Sequence, residues 1–369
     1  MVEVQERRDR PPVRHAAQRR PTIGGSSRTV LVAVGAVCLG IAALIAVPML
    51  RSDPLDSPTV PTVPEPVPNP LRAFSADSWW NTPLPATAPQ NPAGDLILNH
   101  LSTAPGSADG CLRLAGAGTS VWGQPVYWAK PSDTGYDIQG VDHSPSPELD
   151  RLRIPAGTQP PDNSDGSVTI FDVSRGYVTL LTDAWYDEAD DMWSASGATV
   201  TYLDSNGLHA DTGLSDDQDN TGTHRGNNGA TSVVRWDMVQ AGAVRHVLKV
   251  AAGPELYDRG VFPMVGSDGD YAGDDPAVPP QGVRLRISPS VDLETLNLHP
   301  EALIIARALQ RYGFYFGDSG GVTALKLEDT MSEGRGQLWS VTTSGLCGLP
   351  FTPEYWDVIA EGYDPSSGR

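Results

Sequence analysis

The sequence predicts a mostly β domain, an antiparallel β-sandwich of jelly-roll type with a few short helices, following a single N-terminal transmembrane helix. Three observations predict it. Residues 30–50 form an uncharged apolar run. Short segments rich in β-branched residues, bounded by Gly, Asp, Asn or Ser, recur from residue 167 onward. Only one segment combines sustained helical periodicity with clear start and stop signals.

The apolar run is long enough for a bilayer, since a helix rises about 1.5 Å per residue and the hydrocarbon core is about 30 Å thick. Seven arginines precede it (Arg7, Arg8, Arg10, Arg14, Arg19, Arg20 and Arg28), against Glu3, Glu6 and Asp9. That asymmetry assigns residues 1–28 to a cytoplasmic tail and residues 29–50 to an uncleaved signal anchor. A cleaved signal peptide would have a shorter core, about 7–15 residues, and a small-x-small cleavage site, which Pro48-Met-Leu-Arg51 does not supply. Residues 51–70 carry proline every two or three positions and read as an extended spacer of about 3.1 Å per residue. Residues 71–369 then form the extracytoplasmic domain, giving a single-pass plasma-membrane protein with its N-terminus in the cytoplasm.

Charge divides along the same line. The whole chain has a formal net charge of −19, but the first 51 residues hold eight Arg and three acids. The remainder carries 18 basic and 42 acidic side chains. Such a domain repels DNA, RNA and anionic glycans at long range, so no nucleic-acid partner is expected and a neutral substrate fits better. Lysine is scarce, with only Lys130, Lys249 and Lys326. Of three cysteines, Cys38 falls in the apolar run, while Cys111 and Cys347 lie outside, where disulfides persist. Neither has the paired spacing of a zinc site, so a structural Cys111–Cys347 disulfide is expected.

Within the domain, residues 167–173 (SVTIFDV), 176–182 (GYVTLLT), 198–203 (ATVTYL), 232–237, 244–251 and 283–287 read as strands. Pro300 at a first helical position and Gly313 past the end bracket a helix whose Ala302, Ile305, Leu309 and Tyr312 share one face. Weaker helical patterns cover 95–101 and 353–361. After the main helix come an aromatic strand, a turn at Asp318-Ser-Gly-Gly, and a strand carrying Lys326 and Glu328. The loops 204–230 and 258–281 are long enough to be functional.

Motifs for nucleotide, zinc-peptidase and serine-hydrolase chemistry are absent from the sequence. Glycoside hydrolysis needs two carboxyl groups flanking the bond, one protonated and one ionised. Asp268 and Asp318 are the candidate pair, with Glu328 and His246 as further catalytic candidates. The apolar sequence neighbours of His246 equally suit a core histidine. Arg225, in a Gly/Asn-rich loop, Trp193, after an acidic run, and Tyr315, in the aromatic strand, are the candidate sugar-binding residues. Trp193 is expected at the surface. No cofactor and no catalytic metal are expected. The acidic runs 187–192 and 215–220 are the candidates for a structural Ca²⁺, although neither has EF-hand spacing or its terminal Glu.

Four segments together resemble an uncharacterised family of secreted or membrane-anchored, β-rich actinobacterial proteins. They are FSADSWWNTP at 74–83, GAVRHVL at 242–248 (G-x-[IV]-x-H-x-L), GVRLRISPSVDL at 282–293, and ALQRYGFYFGDSGG at 308–321. The resemblance covers most of the chain after residue 70 and implies an extracytoplasmic location and a β-rich fold. It implies no settled chemistry.

The leading expectation from sequence is a membrane-anchored carbohydrate-active domain, a glycoside hydrolase acting on neutral cell-wall polysaccharide. The alternatives are a non-catalytic surface glycan-binding or scaffold protein, and a polysaccharide lyase using His246 or Tyr315 as base and Arg225 to neutralise a carboxylate.

Overall fold

The structure, a computed structural model, describes residues 69–143, 146–214, 220, 221, 226 and 231–368. The basic tail, the apolar run, all but the last two residues of the proline-rich segment, residues 215–219 of the second acidic run, and Arg225 therefore lie outside the described residues. Among the described residues no helix is long and apolar enough to cross a membrane.

Helix α1 (Gly94–Thr103) opens the ordered elements. Strands β1 (Arg113–Ala115), β2 (Val126–Trp128), β3 (Thr134–Tyr136) and β4 (Leu152–Ile154) follow. Next come β5 (Val168–Asp172), β6 (Tyr177–Thr182), β7 (Trp185–Asp187), β8 (Met192–Ser194) and β9 (Gly197–Tyr202). Helix α2 (Trp236–Gln240) leads to β10 (Leu248–Ala252) and β11 (Arg284–Ile287). Helix α3 (Pro300–Arg311), then β12 (Phe314–Ser319), β13 (Ala324–Lys326) and β14 (Trp356–Val358), complete the chain.

The result is a β-rich molecule with several sheets and few short helices. One sheet has six strands in the order β1-β13-β10-β12-β11-β14, a second has four in the order β2-β5-β6-β9, and β3-β4 and β7-β8 are two-stranded ribbons. This is compatible with a β-sandwich. Pairing is mixed where antiparallel sheets were expected, because β1–β13, β10–β12 and β2–β5 run parallel.

The six-stranded sheet is built on alternation. Leu248, Val250, Leu285, Phe314, Phe316 and Leu325 are buried in the main core. The apolar stripe of α3 (Ala302, Ile305 and Leu309) joins the same core, as does α1 through Ile97, Leu98 and Leu101. α3 begins where its sequence signals put it: Pro300 is in the first turn and the His299 side chain accepts from the Glu301 N–H at 3.3 Å. It stops at Gly313, whose φ of +72° suits glycine. The four-stranded sheet has its own core of Val168, Ile170, Leu181 and Val200, shared with Leu152 and Ile154 of β4. A disulfide joins Cys111 to Cys347 across 236 residues of chain.

Two element assignments from sequence are corrected. Residues 232–237 were expected as a strand. Val234 makes a single bridge to Leu327, and the chain then turns into α2. The cause is distant: a Glu328 carboxylate oxygen accepts from the Trp236 N–H at 2.5 Å, satisfying a donor at the helix start. Residues 353–361 were expected as a helix. Residues 356–358 instead form β14, because Trp356 and Val358 alternate inward while Asp357 meets Arg286 of β11 at 2.9 Å. The strand expected over 244–251 forms only from Leu248 onward.

Candidate functional site

A cavity of about 760 Å³ opens beside the six-stranded sheet, on the face opposite the α3 core. Its floor comes from the alternate residues of three strands: Arg113 and Ala115 of β1, Ala324 and Lys326 of β13, and Lys249 and Ala251 of β10. The registers Arg113↔Ala324, Ala115↔Lys326 and Ala251↔Ala324 put them on one face. Three alanines leave room above the sheet, and the long cationic side chains rise around them. The other wall comes from Asp165 and Ser167 ahead of β5, and from Leu180 and Thr182 of β6. At the mouth, Trp122 is 46% exposed and Val322 41%. Single exposed apolar residues are ordinary, but these two both line a cavity.

Asp318 enters this cavity through a bulge. β10 and β12 pair Lys249↔Tyr315 and Val250↔Phe316, and then skip Gly317 to pair Ala251↔Asp318. In an unbroken strand Asp318 would share the core-facing side with Phe316, because side chains alternate. The extra residue turns Asp318 to the cavity side. Gly317 suits the bulge for a steric reason: a Cβ there would lie 2.8 Å from the Tyr315 ring and 3.0 Å from Lys249 Cγ. The Lys249 stem therefore lies across the glycine, and its Nζ donates to Asp318 Oδ2 at 2.9 Å.

A second ion pair links the two walls. Lys326 Nζ donates to Asp165 Oδ2 at 3.0 Å, joining β13 to the segment before β5. Gln124 ties the same walls, its amide donating to the Ser167 carbonyl at 3.1 Å and its backbone N–H to Leu327 at 2.8 Å. Arg113 pairs with the well-exposed Asp109. Two of the chain's three lysines thus line one cavity, each beside a carboxylate. The set offers donors and acceptors side by side without a large charge excess.

The residues singled out from sequence do not all meet at this cavity. Of the candidate acids, Asp318 alone lines the cavity. Asp268 stands at its edge, accepting from Ser319 Oγ of the cavity lining at 3.1 Å and pairing with the Gln281 amide. Glu328 is buried beneath the cavity wall. It accepts from Trp236 N–H and from Arg335, which also donates to Glu333 at 2.7 Å. Burial raises the Glu333 carboxyl well above the ordinary range, and the neighbouring Glu328 adds to the shift.

His246 is buried with its Nδ1 donating to the Val247 carbonyl at 2.8 Å and its Nε2 beside Met238 sulfur. Burial lowers its pKa to about 4, and the positive charges of Arg235 and Arg72 act in the same direction. Its surroundings are those of a core histidine. Tyr315 is fully buried among Trp79 and Trp80, ring centroids 5.9 and 5.3 Å away, with its hydroxyl 3.3 Å from Ser232 Oγ. Burial pushes its phenol upward. Ser232, not Tyr315, lines the cavity.

Trp193, expected at the surface, is only 4% exposed and packs against Tyr186 with ring centroids 5.3 Å apart. In β8 it alternates with Met192 and Ser194, and its inward position joins the core of the four-stranded sheet. The acidic run beside it serves its own hairpin: Asp187 Oδ1 accepts from Ala189 N–H, and Asp191 Oδ1 from the Tyr186 hydroxyl at 2.6 Å. Among the described residues no group of three or more His, Cys, Asp or Glu side chains is arranged to hold a metal ion.

Asp165, Lys249, Lys326 and Trp122 line the cavity without having been among the candidate site residues. The rarity of lysine was the available signal for two of them. No family model, curated protein or solved structure matches this chain.

Proposed function

We propose that this protein is a membrane-anchored, extracytoplasmic carbohydrate-binding protein whose cavity takes a neutral saccharide of the surrounding cell wall. The observation that carries the reading is the lining itself. Lys249–Asp318 and Lys326–Asp165 present an N–H donor and a carboxylate acceptor within 3.0 Å of each other at two places. A sugar hydroxyl both donates and accepts, so such pairs satisfy it without demanding a charged ligand. Trp122 at the mouth supplies the flat apolar face on which a pyranose ring stacks. The anchor and spacer rest on the sequence of residues 29–70, and they put the domain where wall glycans are.

A second reading is hydrolysis, which one observation favours: Asp165 and Asp318 come from different walls of the same cavity. A glycosidase needs the two carboxyl groups in opposite protonation states. Here Lys249 and Lys326 each donate to one of these carboxylates, at 2.9 and 3.0 Å. Binding is the better reading, because these pairs already offer a sugar hydroxyl both of the partners it needs.

The test incubates the full chain with a panel of neutral and anionic wall polysaccharides. Retention on one neutral polymer without release of reducing ends is the expected result. Release of reducing ends, abolished by Asp165→Asn or Asp318→Asn, would establish hydrolysis instead. Retention on none would overturn both readings.

A further inference from the structure

A second groove, of about 420 Å³, lies away from the saccharide cavity, between the last two turns of α3 and the segment leading into β10. Arg307 and Arg311 line it from α3, Arg245 from the β10 lead-in, and Arg72 from the start of the domain. Among the described residues no acidic side chain lines it. That composition runs against the domain's own, in which acids outnumber bases by more than two to one. All four arginines are exposed, while Val244 and Ala308 between them are buried. Gly242, at a φ of +81°, allows the turn that brings Arg245 back toward the helix.

Structural duties account for only part of this charge. Arg307 donates to Glu294 at 2.6 Å, and Arg311 lies over the Tyr312 ring. Both also offset the carbonyl end of α3. Arg72 donates to the Asn81 carbonyl at 2.7 Å. Among the described residues, Arg72, Arg245 and Arg311 have no carboxylate within ion-pair distance. Arg72 and Arg245 come from other segments and do nothing for the helix end. The field of this group reaches inward as well, since Arg72 contributes to the lowered pKa of His246.

We infer that this groove is a binding site for a phosphate group. Guanidinium groups present paired N–H donors that match phosphate oxygens, and several around one concave surface hold a multiply charged oxyanion better than a carboxylate. The surrounding acidic surface weakens long-range attraction, so the site selects a ligand at contact distance. The ligand chemistry is the phosphate itself, whether free or esterified in a lipid headgroup or polymer.

The test uses the full chain in an uncharged detergent and follows phosphorus-31 line broadening. The probes are inorganic phosphate and, separately, glycerophosphoglycerol, a diester without acyl chains. The parent is compared with the double variant Arg245→Gln/Arg311→Gln and with Arg259→Gln, an exposed arginine elsewhere that pairs with Glu361. Broadening of at least one probe in the parent and in Arg259→Gln, reduced tenfold or more in the double variant, is the expected result. Broadening by inorganic phosphate alone assigns a free phosphate or monoester, and broadening by both assigns an esterified ligand as well. No broadening in the parent, or equal broadening in the double variant, overturns the inference. Circular dichroism of each variant shows whether it is folded. All the substituted side chains are exposed, so folding should be retained.

Discussion

Glu328 shows how residue type and residue role separate. By sequence it is a carboxylate on a strand next to a candidate turn, which is what a catalytic acid looks like. In the fold it is enclosed, capping α2 through Trp236 N–H and holding Arg335. Removing one partner of a buried ionic network leaves the others uncompensated, at a cost of about 3–5 kcal/mol. Glu328→Ala is expected to destabilise by about that much, measured by denaturant unfolding, while the folded fraction retains its polysaccharide binding. His246 carries a pH signature instead. Its folded pKa of about 4 lies below the ordinary value of 6.5. The unfolded state then binds more protons across that window, so stability is full above 6.5 and falls as pH drops toward 4. The contribution is about 3 kcal/mol. The unfolding free energy of His246→Gln should change less between pH 7 and pH 4.5 than that of the parent. An unchanged slope would remove His246 from the explanation.

Among the elements, the β10–β12 pair decides whether the cavity has a carboxylate on its floor. The bulge at Gly317 was written in the sequence as one glycine in an aromatic strand, but its consequence was not, because a bulge is defined only against the partner strand. Gly317→Ala should force the Tyr315 ring or the Lys249 stem to move and cost about 1–3 kcal/mol. Polysaccharide retention should fall at least fivefold at a temperature where the variant is fully folded. The same logic explains what was legible. β5, β6, β9 and β11 were readable because each is a short β-branched run between turn residues, and α3 because it carries its own helical period and end signals. α2 was not, since the group that starts it lies 92 residues away. β14 was not, because a three-residue strand is too short to show a period. Trp193 was misplaced because the acidic run before it is polar while its own hairpin position faces inward.

At the level of the molecule, the site depends on bringing distant segments together. Lys326 and Asp165 are 161 residues apart, and no local pattern announces the pair. Segments distant in sequence gather at the six-stranded sheet: 74–83 supplies the Trp79–Trp80 cluster, 242–248 enters β10, 282–293 contains β11, and 308–321 spans α3 to β12. The Cys111–Cys347 bond ties the first strand of that sheet to the loop before its last. Closing so long a stretch of chain contributes about 3–5 kcal/mol. Reduction, or Cys111→Ser/Cys347→Ser, should lower the unfolding midpoint by that equivalent, read in denaturant with and without reductant.

The proposed function requires that the cavity between the two sheets bind a neutral saccharide through Trp122 and the lysine–aspartate pairs. The direct measurement is a calorimetric titration of the full chain with an oligosaccharide of the polymer it retains, repeated for Trp122→Ala and Lys326→Met. Saturable binding in the parent, weakened about tenfold or more by each variant and nearly independent of salt, is the expected result, as suits an uncharged ligand. Parent-like affinity in both variants would place the saccharide elsewhere on the molecule and overturn the proposed function.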